Sequence, residues 1–345
     1  MAKIIEIDIK DKNSYLKDIF FKGLQSCNIN FLVGSGCSID AIPYDNKIEQ
    51  LLTDLLNKSQ FEEAEKAKYK FLKDIIEVNE ELFKKAISDK TKQVLMKYKK
   101  FISTINHILS ERKNNILHKQ ANIFSTNYDL FIEQASADLG NIYLNDGFRR
   151  NSNLNREYVF SSKEFYNYTC HSGSLYEYKV DLPSINLIKI HGSLSWNIKK
   201  ISDKILFSTD FVKLDDENDG LKIKEFNNQV SIIFPDIVKY QDTVLNHNYY
   251  DLMRIFSHEL DKENTILFIC GFGFNDIHIQ EIIERALGNP TLNVFIFAYS
   301  KDDISKFKNI FEKFNNVSVI SLKDEMLSFD IIIDLIDSIF SYKEI

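Results

Sequence analysis

Four short apolar runs in this chain each stop abruptly at small or polar residues, and that repeated pattern limits the fold more than any other feature. Phe31-Leu32-Val33 breaks into Gly34-Ser35-Gly36-Cys37-Ser38, and Asn122-Ile123-Phe124 into Ser125-Thr126-Asn127-Tyr128-Asp129. Leu187-Ile188-Lys189-Ile190 gives way to His191-Gly192-Ser193, and Ile266-Leu267-Phe268-Ile269 leads to Gly271-Phe272-Gly273-Phe274-Asn275-Asp276. Further strands are expected over Gln229–Phe234, Asn293–Ala298 and Val317–Ser321, with helical periodicity between most of them, notably over His278–Leu287 and Asp303–Phe314. Strands this apolar must be covered on both faces, which helices between parallel strands accomplish. Ligands of such sheets bind outside the carboxyl ends of the strands, so the four polar ends should converge on one crevice.

The expected fold class is therefore α/β: a Rossmann-like, doubly wound parallel sheet of about six strands with an inserted helical subdomain, the whole of 1–345 forming a single domain. The insertion spans 47–119 and contains neither Gly nor Pro. Its apolar residues recur at three- and four-residue steps over Glu49–Leu56, Phe61–Ile76, Leu82–Met96 and Phe101–Leu109, as in amphipathic helices. Either a cover for the crevice or an oligomer contact is consistent with it. A second, loop-rich insertion is read over 145–183, where Arg149, Arg150, Asn151 and Asn153 precede Tyr158, Tyr166, Tyr168, Tyr176 and Tyr178. Phe329–Tyr342 reads as a closing amphipathic helix.

Charge narrows the partners. With a formal net charge of -7 over 345 residues, the chain lacks the basic surface that nucleic-acid phosphates require, although Lys97-Tyr98-Lys99-Lys100 is locally basic. Direct nucleic-acid binding is disfavoured. The cysteines Cys27, Cys37, Cys170 and Cys270 include no Cys-x-x-Cys pair, and Cys27, Cys37 and Cys270 lie in or beside apolar strands, as small buried hydrophobes do. Met1–Asp8 alternates charge with aliphatics and lacks the apolar core of a signal peptide, and no charge-free apolar stretch is long enough for a membrane span. A cytoplasmic location is expected, with no membrane partner.

At the strand ends, Gly34 and Gly36 permit a sharp turn whose amides suit a pyrophosphate, although a bare Gly-x-Gly is explained as well by a tight turn without ligand. Ile39 stands where a nicotinamide-dehydrogenase fingerprint has its third glycine, which disfavours hydride transfer. Asn127 and Asp129 are placed to bond a ribose or orient water, and Asp129 is also expected to cap the helix that follows. His191, between a strand and Gly192, has the position and titration range of a general base. His107, His118, His247 and His258 read as structural; His278 lines the crevice or sits in the first turn of a helix.

Taken together, these strand ends resemble the sirtuin superfamily. Val33-Gly34-Ser35-Gly36-Cys37-Ser38 is similar to its Gly-Ala-Gly-x-Ser loop, Thr126-Asn127-Tyr128-Asp129 to its Thr-x-Asn-x-Asp element, and His191-Gly192-Ser193 to its His-Gly element. Gly271–His278 resembles the Gly-Phe-Ser-Phe-x-Asp-x-His block of a divergent bacterial branch, as does Phe234-Pro235 followed by Lys239-Tyr240. Members of that branch hydrolyse NAD to nicotinamide and ADP-ribose in anti-phage defence, depleting the infected cell of NAD. The resemblance implies NAD as substrate, no metal, and Asn127 and His191 as the catalytic pair. It also implies that Gly34, Ser35, Gly36, Ser38, Asp129, Gly271, Gly273, Phe274 and Asp276 hold the rest of NAD.

The departures bear on which reaction. Sirtuin deacylases carry a zinc module built on two cysteine pairs, which this chain cannot make, and Tyr44-Asp45 stands where an Asp-Phe-Arg would follow the loop. Acyl-lysine binding is weakened more than NAD binding. Beside an NAD glycohydrolase, the open alternatives are a protein deacylase or ADP-ribosyltransferase, and a catalytically silent nucleotide-binding subunit of a defence complex. The resemblance further implies control by homo-oligomerisation or by a partner in trans, such as a HerA-type ATPase or an Argonaute-like protein, with the helices of 47–119 as the resting-state lock.

Overall fold

The computed structural model describes residues 1–8, 14–43, 47–83, 87–113, 116–150, 157–173, 179–199, 204–210, 219–235, 247–323 and 325–340. Of the positions discussed above, Tyr44, Asp45, Asn151, Asn153, Tyr176, Tyr178, Lys239, Tyr240 and Tyr342 lie outside the described residues. In chain order the strands are β1 (Lys3–Ile7), β2 (Asn28–Val33), β3 (Gln120–Ser125), β4 (Tyr143–Asn145), β5 (Phe148–Arg149), β6 (Val159–Phe160), β7 (Cys170–Ser172), β8 (Lys179–Asp181), β9 (Ser184–Lys189), β10 (Gly192–Lys199), β11 (Lys204–Phe207), β12 (Val230–Ile232), β13 (Thr265–Cys270), β14 (Leu292–Phe297) and β15 (Val317–Leu322). The helices are α1 (Ser14–Ser26), α2 (Ile48–Asn57), α3 (Phe61–Leu82), α4 (Asp89–Ser110), α5 (Phe131–Leu139), α6 (Gly220–Gln229), α7 (His247–Asp261), α8 (Ile277–Ala286), α9 (Lys301–Phe311) and α10 (Phe329–Phe340).

Eight parallel strands form the main sheet in the order β1-β15-β14-β13-β2-β3-β9-β4. The doubly wound α/β reading holds, with two strands more than expected, because the short edge strands β1 and β4 carry a weaker apolar signal than the central six. Gln229–Phe234 departs from expectation. Its strand, β12, joins a separate antiparallel sheet in the order β12-β10-β11-β6-β5, since both neighbours of β9 in the main sheet are already β3 and β4.

Successive side chains of each central strand face opposite cores, as the two-residue repeat of a strand requires. Phe31, Ile123, Leu187 and Phe268 pack with α1, α3, α4, α5 and α10. Leu32, Phe124, Ile188 and Ile269 pack with α7, α8, α9 and the antiparallel sheet. Helices α3 and α4 contribute Tyr69, Leu72, Ile75, Val94, Tyr98, Phe101 and Ile105 to the first core, so the segment 47–119 shares one continuous interior with the sheet.

Two helices expected within that segment are in fact one. Phe83 ends α3, Ser88 caps α4 by accepting from the Thr91 amide, and α4 then runs unbroken through Lys97–Lys100. Tyr98 is fully buried there, while Lys97 pairs with Asp40 and Asp330, Lys99 with Asp138, and Lys100 with Asp334. The locally basic tetrapeptide is thereby neutralised by carboxylates. Arg149 and Arg150 are likewise paired, with Glu164 and Asp146. Among the described residues, no helix is long and apolar enough to cross a membrane.

Candidate active site

The chain leaves β2 towards β3 on one side, and its later half begins at β13 on the other. The switch point therefore lies between β2 and β13, where a doubly wound sheet opens a crevice at its carboxyl edge. Two turns meet there. Gly34 and Gly36 donate their amides to the carbonyls of Cys270 and Gly271, both at 2.9 Å. A Cβ on Gly34 would stand 2.5 Å from the Gly271 oxygen, and one on Gly271 would stand 2.6 Å from the Cys37 nitrogen. These glycines let two backbones touch. The amides of Gly34, Gly36, Cys37 and Ser38 donate to protein carbonyls, whereas the sequence suggested amides turned towards a phosphate. Gly36 and Gly273 are exposed on this edge and Ser35 is half-buried.

Asn127 ties β3 to the same turn. Its Nδ2 donates to the Gly34 carbonyl at 3.1 Å and to Ser38 Oγ at 3.4 Å, and its backbone amide donates to Ser125 Oγ. Because a carbonyl can only accept, the contact with Gly34 fixes which end of the amide faces the turn. Oδ1 is left as a buried acceptor with no hydrogen-bond partner among the described residues.

Ser38 and Asp129 lie beneath the turn rather than in its mouth, 0% and 2% exposed. Ser38 Oγ donates to Asp129 Oδ2 at 2.9 Å, so the Tyr98 hydroxyl 2.8 Å away must be the donor to Ser38. The N-cap of α5 is Leu130 rather than Asp129, which stands one residue earlier; Asp129 Oδ1 accepts from the Phe131 amide, and Asn79 of α3 accepts from the Leu130 amide. Tyr98 and Asn79 therefore brace the Asn127–Asp129 turn from the inserted helices, contacts that no local sequence pattern announces.

Beyond the end of β9, His191 Nε2 lies 3.0 Å from Asp276 Oδ2, with both side chains 5% exposed. Asp276 Oδ1 accepts from the amides of His278 and Ile279, so this residue caps α8 while facing the imidazole. Gly192, with φ +81°, leaves no room for a side chain: a Cβ would approach the Ser231 oxygen to 2.2 Å.

Phe274 adopts φ +55°, a left-handed conformation rare for an aromatic residue. Its ring is buried against Phe272, Phe307 and Phe311, and Lys306 donates to the Gly273 carbonyl and to Asn275 Oδ1. Phe274 thus anchors the turn from below, leaving Gly271 and Gly273 to present backbone. Burial pushes the thiols of Cys37 and Cys270 upward, with Cys270 and Asp129 adding to the effect on Cys37, so both behave as core hydrophobes.

Lys189 was not among the expected site residues. Its ammonium is buried below the Asn127 turn and 3.3 Å from Glu133. A lone lysine in an apolar strand was the available signal.

Comparison with curated proteins gives no match. The sequence pattern of the SIR2-like domain matches residues 121–320, a stretch that runs from β3 through β15 and holds Asn127, His191 and the Gly271–Asp276 turn, while the Gly34–Ser38 turn reaches the same crevice from outside it. The chain belongs to the SIR2-like family, whose domains use NAD.

Proposed function

We propose that the chain is an NAD glycohydrolase, cleaving NAD to nicotinamide and ADP-ribose. The observation that carries this reading is the orphaned oxygen of Asn127. Burying an unpaired acceptor costs about 1–3 kcal/mol, so such a group marks a place where a donor belongs. A ribose hydroxyl or an attacking water supplies that donor. Beside it, the glycine contacts at Gly34 and Gly271 pack the two turns backbone against backbone.

As the bond to nicotinamide breaks, its electron pair leaves with the nicotinamide and the ribose carbon gains positive charge. Water held by Asn127 Oδ1 then adds to that carbon and gives up a proton. His191 accepts it, and the Asp276 carboxylate at 3.0 Å stabilises the resulting imidazolium. Hydrolysis is favoured over deacylation because the two cysteine pairs of a deacylase zinc module are not formed: Cys37 and Cys270 lie near each other in the core, while Cys170 is exposed on the β7–β8 ribbon. A role as anti-phage effector, governed by self-association or by a partner protein, follows from the family resemblance alone.

Chromatography of the products separates the alternatives. Free ADP-ribose appearing in step with nicotinamide, with no change when an acetyl-lysine peptide is added, is the expected result. ADP-ribose attached to protein would identify a transferase, and nicotinamide release that requires the peptide would identify a deacylase.

A further inference from the structure

The polar residues of β9 are Ser184, Asn186 and Lys189, and Lys189 is only 2% exposed. Its ammonium donates to the carbonyl of Asn127 at 3.4 Å and to that of Asp129, and it lies 3.3 Å from Glu133 Oε1. Glu133 belongs to α5, the helix that begins directly after the Asn127–Asp129 turn. A charge in a sheet core is costly unless paired, and an apolar side chain of similar volume would be no less stable there. What an ammonium adds is a set of donors. Here they are directed at the two carbonyls on either side of Tyr128.

We propose that Lys189 is a positioning residue for Asn127, and that Glu133 serves to balance its charge. The proposal rests on the reading of Asn127 given above. The carbonyls of Asn127 and Asp129 both turn inward to one point, and fixing both fixes the peptide planes between them. Those planes determine where the Asn127 amide lies relative to the Gly34 carbonyl, and hence where Oδ1 points. Burial raises the Glu133 carboxyl above its ordinary titration range and Lys189 draws it back down, as expected of a counter-ion held in place by the ammonium.

Lys189→Met alone would leave Glu133 buried without its counter-ion, so the informative variant is the double substitution Lys189→Met/Glu133→Leu, which removes both charges. It is expected to melt close to the wild type. Its kcat for nicotinamide release should fall by about 10- to 100-fold, with KM for NAD changed by less than about 3-fold, because a small misplacement affects the reacting geometry more than binding. Amide hydrogen exchange over 126–131 should quicken by at least about 10-fold while β13 and β14 stay protected. Glu133→Gln, which leaves the ammonium on its two carbonyls, should keep kcat within about 3-fold of wild type.

A double variant with wild-type exchange over 126–131 overturns the proposal, as does one with wild-type kcat. So does a Glu133→Gln variant as impaired as the double one. Exchange reports on the turn without NAD, so a wild type that cleaves no NAD would defeat the reading of the site while the exchange result still decides the role of Lys189.

Discussion

Asp276 uses its two oxygens differently: Oδ1 caps α8, and Oδ2 faces His191. Asp276→Asn keeps an acceptor for the cap and removes the charge, so melting should change little while nicotinamide release falls by about 100-fold. Asp276→Ala should also lose about 1 kcal/mol of stability with the cap. An Asn variant with full activity would show that His191 works without the carboxylate. Glu133 gives a pH signature. Because its folded titration value is raised, the protein holds a proton that the unfolded chain releases, so its contribution to stability is present below the ordinary glutamate value and lost as pH rises through the folded one. Subtracting Glu133→Gln unfolding curves from wild-type curves between about pH 4 and 8 should isolate that loss, starting near the ordinary value of about 4.3. The placement of Asn127 and His191 just beyond strand ends was legible in the sequence because polar residues directly after apolar strands are conspicuous. The bond from Tyr98 to Ser38 was not, since it joins positions sixty residues apart that only the packing of α4 brings together.

Between elements, an asparagine ladder fixes the register of four strands. Asn122 Nδ2 donates to Asn30 Oδ1 at 2.9 Å, Asn186 to Asn122 at 2.9 Å, and Asn145 to Asn186 at 3.0 Å, each pair directly opposed across β2, β3, β9 and β4. The ladder stops at β13, where Leu267 faces Asn30 and leaves Asn30 Nδ2 without a partner among the described residues. A one-residue slip would turn every asparagine to the other face of the sheet, so the ladder opposes slippage as well as stabilising the correct pairing. Asn122→Leu should cost about 1–3 kcal/mol in denaturant unfolding, because Asn30 Oδ1 is left buried and unpaired. A neutral result would mean that water or a shifted side chain satisfies it. The central strands were readable from their apolar runs, which is why the carboxyl-edge crevice could be placed. The membership of β12 was not, because three residues of Val-Ser-Ile look alike in either sheet. The continuity of α4 was hidden by its lysines, whose neutralising carboxylates come from Asp40, Asp138 and α10.

At the scale of the molecule, one sheet supports both halves of the site: β2, β3 and β9 deliver Gly34, Asn127 and His191, and β13 delivers the Gly271 turn and Asp276. The inserted helices belong to this architecture, since α3 and α4 supply core residues and brace the Asn127 turn through Asn79 and Tyr98. Segment 47–119 was recognisable as helical from periodicity and from its lack of Gly and Pro. That it is built into the core, rather than set beside it, depends on long-range packing that periodicity does not encode. The central claim is that these strand ends form one NAD-cleaving site. It is tested most directly by nicotinamide release from NAD, measured for the purified wild type beside Asn127→Ala and His191→Ala, with melting curves to confirm that all three fold. Release by the wild type that falls by at least about 100-fold in each variant is the predicted result; release unchanged in either folded variant would contradict it.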